Sequence, residues 1–162
     1  MKYLISVIFI LFSFSTSAHE LAVVDVDYLF KNSKSGKSIQ KKFDKINKDM
    51  AENFKKKEVS FKKQEKELIS KKNVLAVEEF NTEVKNFEKK IKDYNVKKTK
   101  TVNDFKFNKS KEYADLYKII NDILVNFSKE NNISSMLDRK NVIMTKSDND
   151  ITEKILSILN KN

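Results

Sequence analysis

Apolar and polar residues alternate along this chain in distinct ways, and each pattern predicts a different element. The apolar positions Ile39, Phe43, Ile46, Met50 and Phe54 advance in steps of 4, 3, 4 and 4. Phe80, Val84, Phe87, Ile91 and Tyr94 advance in steps of 4, 3, 4 and 3. Such steps place side chains on one stripe of a helix, the seam of a coiled coil. Between the two stretches only Phe54, Phe61, Leu68 and Leu75 recur, at intervals of seven residues. Lysine, glutamate or glutamine fills the other seam positions there. One apolar residue per heptad is too little to hold two helices tightly. It leaves spaced aromatic and aliphatic side chains on a charged rod.

Residues 37–129 contain no proline or glycine and read as helix throughout. A single straight helix of that length would project roughly 140 Å. A hairpin buries the stripe of each leg against the other. The most polar short window between the seams, Ser70-Lys71-Lys72-Asn73, is the expected tip, and it should be wet. The end of the return leg carries Tyr113, Leu116, Tyr117, Ile120, Ile123, Leu124 and Phe127 and should enter a core.

The flanks have a different rhythm. Residues 19–36 open with the β-branched run Leu21–Val26, which reads as a strand. Asp27 could cap a short helix carrying Tyr28, Leu29 and Phe30. Asn32–Gly36 reads as a loop or helix break. In residues 130–162, Asn131-Asn132 suits a helix end, because asparagine tolerates left-handed geometry. Ile133–Leu137 and Val142–Thr145 read as two strands joined by the turn Asp138–Asn141. Asp150 and Glu153 have capping-box spacing ahead of a helix with Ile151, Ile155, Leu156 and Leu159 on one face. Three short strands cannot close a barrel, and their open edges invite pairing. The fold class expected is therefore mostly α: a long helical hairpin attached to a small β association body that oligomerisation completes. Val23, Val24, Val26, Leu137, Val142 and Ile143 are the candidate body residues in the shared sheet.

Composition narrows the function. The chain has 162 residues, one glycine (Gly36), one histidine (His19), and no proline, cysteine or tryptophan. One glycine builds no phosphate-cradling loop. Without cysteine there is no thiol nucleophile, disulfide or thiolate metal site. One histidine supplies no metal pair, and no catalytic triad is expected. Asp25 and Asp27 read as caps or turn acceptors rather than a hydrolytic carboxylate pair. Neither an enzyme nor a cofactor or metal site is expected.

The net charge is +10. Met1-Lys2-Tyr3, the apolar run Leu4–Phe14 and the small residues Ser15–Ala18 follow the plan of a secretory signal peptide. The apolar run is about 11 residues, whereas a membrane-spanning helix needs roughly 20. Cleavage after Ala18 is expected to leave 32 basic side chains (33 less Lys2) against 23 acidic ones, a net of +9. Residues 37–129 hold 25 lysines and 15 acids, so the whole excess lies on the arm. Export out of the cytoplasm argues against nucleic acid as the physiological partner. It leaves acidic proteins, anionic lipid head groups and lipopolysaccharide.

Ala22–Val26 followed by Leu29-Phe30 and a lysine-rich helical segment resembles the opening of the Skp/OmpH periplasmic chaperones. Leu137-Asp138, Asn141-Val142 and Asp150-Ile151-Thr152 before an apolar helix resemble that family's close. The resemblance implies a jellyfish-shaped homotrimer with helical arms around a cavity. It implies an ATP-independent holdase that carries unfolded outer-membrane proteins across the periplasm. Phe54, Phe61, Leu68, Leu75, Phe80 and Phe87 are then candidates for client contact as well as for the seam. The alternative is a basic coiled-coil envelope protein on anionic lipid or lipopolysaccharide.

Overall fold

The computed structural model describes residues 20–161. The expected signal peptide and its cleavage point after Ala18 lie outside the described residues. In chain order the elements are β1 (Glu20–Val24), α1 (Val26–Asn32), α2 (Lys34–Ser70), α3 (Val77–Glu130), β2 (Ile133–Asp138) and α4 (Thr152–Leu159). Two single-turn 3-10 segments, Arg139–Asn141 and Ser147–Asn149, sit between β2 and α4. The molecule is a helical hairpin standing on a small mixed body.

β1 and β2 pair in parallel, with Leu21 against Ser135 and Val24 against Asp138. The whole hairpin is the crossover between them. On β1's other edge Val23 bridges Asp150, and the Ile151 amide donates to the Val23 carbonyl at 2.9 Å. β1 is thus the middle of the body. Its residues Ala22 and Val24 pack with Leu29, with Leu116, Ile120 and Ile123 of α3, and with Ile151, Ile155 and Leu159. The apolar end of α3 does enter a core, although Tyr117 stays exposed.

Four local expectations are corrected. The strand over Val142–Thr145 does not form within this chain. Immediately after β2 the Asp138 carboxylate accepts from the Lys140 amide at 3.2 Å, turning the chain into a 3-10 segment and away from β2's unpaired edge. Val26 belongs to α1 rather than to the first strand. The cap of α1 is Asp25, whose Oδ1 accepts from the Tyr28 amide at 2.7 Å, and Asp27 lies in the first turn. The capping box at α4 is not made. Asp150 Oδ1 accepts from the Thr152 amide at 3.0 Å, while the Glu153 carboxylate near the Tyr28 hydroxyl holds that phenol's pKa above its usual 10.0.

The break at Asn32–Gly36 shrinks to one residue. Ser33 is extended (φ −64°, ψ 152°), and its Oγ accepts from the Gly36 amide at 3.0 Å, capping α2. The close approach needs glycine: a Cβ on Gly36 would lie 1.7 Å from the Phe30 carbonyl oxygen. At the far end of α3, Asn132 takes a left-handed φ of 54°, as asparagine tolerates.

Candidate functional site

Among the described residues no three His, Cys, Asp or Glu side chains are grouped to hold a metal ion. No helix there is long and apolar enough to cross a membrane. The body's polar side chains serve its packing. Thr152 Oγ1 accepts from the Asp25 amide at 2.9 Å. Arg139 donates to Asp150 at 2.7 Å. What remains as a working surface is the hairpin arm.

The arm is held by a seam of aromatic rings. Phe43 meets Phe105 edge-on with centroids 5.7 Å apart. Phe54 meets Tyr94 at 6.4 Å. Phe61 lies between Phe87 and Tyr94, at 6.1 and 5.2 Å. Edge-to-face pairs of this kind contribute about 0.5–1.5 kcal/mol each beyond their buried area. Ion pairs stitch the rim: Glu58 to Lys98 at 2.6 Å, Glu83 to Lys71 at 3.0 Å, and Lys42 to Glu112. The bond that Lys98 Nζ donates to Glu58 raises the Lys98 pKa. Such exposed pairs are individually weak. They set register more than stability.

The six client candidates fall on this seam. Phe54, Phe61, Leu68, Leu75, Phe80 and Phe87 are all half-buried between the two helices or at their junction. The packing is loose around them. An interhelical cavity of about 370 Å³ is walled by Gln64, Leu68, Lys71, Glu83 and Phe87.

A second set of apolar side chains stands bare. Val59, Val96 and Phe107 are 59, 64 and 69% exposed. Each is two residues from a seam residue, at Phe61, Tyr94 and Phe105, and so about 200° around its helix. The signal was in the sequence as apolar residues out of phase with the seam. The tip, expected to be wet, carries Ile69, Val74 and Val77, all largely exposed.

The body candidates divide. Val23 and Val24 are buried in the chain's own body, at 0 and 3% exposure. Val26 and Val142 are half-buried. Leu137 is exposed, and Ile143 is fully so, with Met144 beside it.

The chain resembles known proteins in family and in fold. A family model described as Outer membrane protein (OmpH-like) matches residues 20–159. A crystal structure of an OmpH-like outer membrane chaperone candidate from Caulobacter crescentus CB15 superposes with a TM-score of 0.81. The match has 16% sequence identity and covers 88% of this chain and 84% of the other. At that identity it speaks for the fold alone. No curated protein matches the chain.

Proposed function

The chain belongs to the OmpH-like outer membrane protein family, and from that premise we propose that it is a periplasmic chaperone of the holdase type. It binds unfolded outer-membrane proteins between helical arms and keeps them from aggregating, without ATP and without a catalytic group. It is exported by a signal peptide cleaved after Ala18 and works as a homotrimer.

One observation carries the reading beyond the family. The arm is a lysine-rich rod whose apolar side chains Val59, Val96 and Phe107 are held out to solvent. A holdase needs many weak contacts. A bare side chain covered by a client contributes on the order of 1–2 kcal/mol, so several hold a chain while each still lets go. The lysine excess attracts acidic clients and speeds encounter in a salt-dependent way. The client contacts are assigned to the exposed set and not primarily to Phe54, Phe61, Leu68, Leu75, Phe80 and Phe87, which are half-buried in the seam or at its end.

The homotrimer is supported by the body. Leu137, Ile143 and Met144 lie exposed beside a two-stranded sheet, and Val142–Thr145 is free of strand pairing among the described residues. Those residues are what a second copy can cover.

The test is dilution of a urea-unfolded β-barrel protein into buffer with and without the mature chain. Suppressed light scattering at about one oligomer per client supports the reading; undiminished aggregation beside a folded oligomer refutes it. A second reading, contact with anionic lipid or lipopolysaccharide, is favoured by the exposed Ile69, Val74 and Val77 next to Lys71 and Lys72. Co-flotation with anionic vesicles in the absence of client tests it.

A further inference from the structure

The face of α3 turned away from α2 carries a stripe that the seam does not use. Counted from Phe107 in steps of three and four residues, it runs from Lys85 to Lys129, about 66 Å at 1.5 Å per residue. It holds Val96, Phe107, Ala114 and Val125, two asparagines, seven lysines and no acid. Every residue of it is exposed. None of its lysines is in an ion pair among the described residues, whereas the seam-side Lys98 is paired. The outward face of α2 carries a shorter row by the same count, from Lys37 to Ile69, with Ala51, Val59 and Ile69 among seven lysines but with no aromatic residue.

We propose that this stripe is the track on which the arm binds an extended, acidic, apolar-dotted segment of polypeptide. The proposal rests on the chaperone reading and names the chemistry its client must present. Lysines stand on the same line as the apolar residues. Lys100 lies between Val96 and Phe107, Lys111 between Phe107 and Ala114, and Lys118 between Ala114 and Val125. A helix that lies in a membrane surface separates its apolar and basic faces; this one mixes them and cannot immerse the stripe. A polypeptide can match it. Val96 and Phe107 are about 16 Å apart along the axis, which an extended chain spans in about five residues. Since a strand keeps only even-spaced side chains on one face, apolar residues about four and six apart in alternation, with Asp or Glu between, meet both the bare residues and the lysines. The excess of positive charge with no internal partner makes acidic residues the complement.

The test uses the mature chain and a labelled peptide of about 20 residues, with Leu at alternating intervals of about four and six residues and Asp and Ser between. A second peptide replaces Leu by Ser, and anionic phospholipid vesicles form a third arm. K100E/K111E/K118E should weaken the Leu peptide about tenfold or more, and F107S about threefold. The parent should bind the Ser peptide more weakly. Both variants should keep the parent's helical signal and melting temperature, because the side chains replaced are exposed and the stripe's lysines are in no ion pair among the described residues. Equal binding of the Leu peptide by parent and folded variants overturns the proposal. So does equal binding of the two peptides, or binding of vesicles alone. If the parent binds the Leu peptide yet does not suppress client aggregation, the chaperone reading falls and the stripe stands as a peptide site. If the parent suppresses aggregation and the variants bind and suppress as it does, the stripe falls and the chaperone reading stands.

Discussion

Gly36 is the residue at which backbone geometry is least forgiving. It is buried where α1 passes into α2, and a Cβ there would overlap the Phe30 carbonyl oxygen at 1.7 Å. The obstacle is backbone, so no side chain can swing aside. Gly36→Ala should destabilise by about 1–3 kcal/mol or more through forced displacement of α1. Ser35→Ala, exposed one residue earlier, should change the urea midpoint little. Equal midpoints for the two variants would contradict this account of the α1–α2 junction.

Asp150 shares the pH response of the body with Asp138, since both carboxyls are held below their ordinary 3.8. Burial pushes the Asp150 carboxyl up, but hydrogen bonds from Thr152 and the charge of Arg139 outweigh that, and the pKa falls below its ordinary 3.8. A depressed carboxylate adds stability that is present above its unfolded pKa and is lost as pH falls through the folded one. Stability should therefore decline below about pH 4. Asp150→Asn should be less stable at neutral pH and flatter across that acid range, read from urea midpoints at several pH values. A variant as steep in acid as the parent would assign the acid response elsewhere.

At the scale of elements the hairpin has a testable grain. Phe61 contacts two rings of α3, whereas Phe107 contacts solvent. Phe61→Ala should cost about 1–3 kcal/mol, less than a fully buried ring, and speed hydrogen exchange in the outer half of the arm while the body stays protected. Phe107→Ser should leave exchange unchanged. Uniform loss of protection throughout the molecule on Phe61→Ala would show that arm and body unfold as one unit.

Much of the arm was legible because helix periodicity is local. The stripes Ile39–Phe54 and Phe80–Tyr94 have their spacing in the chain itself, and α2 ends at Ser70, where the polar window begins. The body was less legible because strand pairing is not local. Ile133–Asp138 reads as a strand from its residues, but nothing in them says that the partner is β1, in parallel, across the whole arm. The Val142–Thr145 strand failed for the same reason: β-branched residues supply propensity, not a partner. At the site, the seam's period drew attention to Phe54, Phe61 and Phe87. The bare Val96 and Phe107 were visible only as residues out of step with it.

For the whole molecule, burial separates folding from assembly. Val24 is packed inside its own chain, so Val24→Asp should unfold the body rather than merely part the subunits. Ile143 is wholly exposed, so Ile143→Asp should leave the monomer fold intact and lower the particle mass, as seen by light scattering with unchanged circular dichroism. An unaltered mass would place the assembly surface elsewhere.

The distribution of charge completes the picture at this scale. The lysine excess lies on the arms, while the body flanks are close to neutral. In the proposed trimer, arms of like charge repel one another. An acidic client that neutralises them should let them draw in around it.

The most direct measurement joins function to assembly in one sample. A urea-unfolded outer-membrane β-barrel protein is diluted into buffer at physiological salt with the mature chain, and aggregation and particle mass are followed together by light scattering. The account predicts that scattering is suppressed at about one trimer per client, in a soluble particle with the mass of that complex. A folded oligomer that leaves the client to aggregate as fast as it does alone would contradict it.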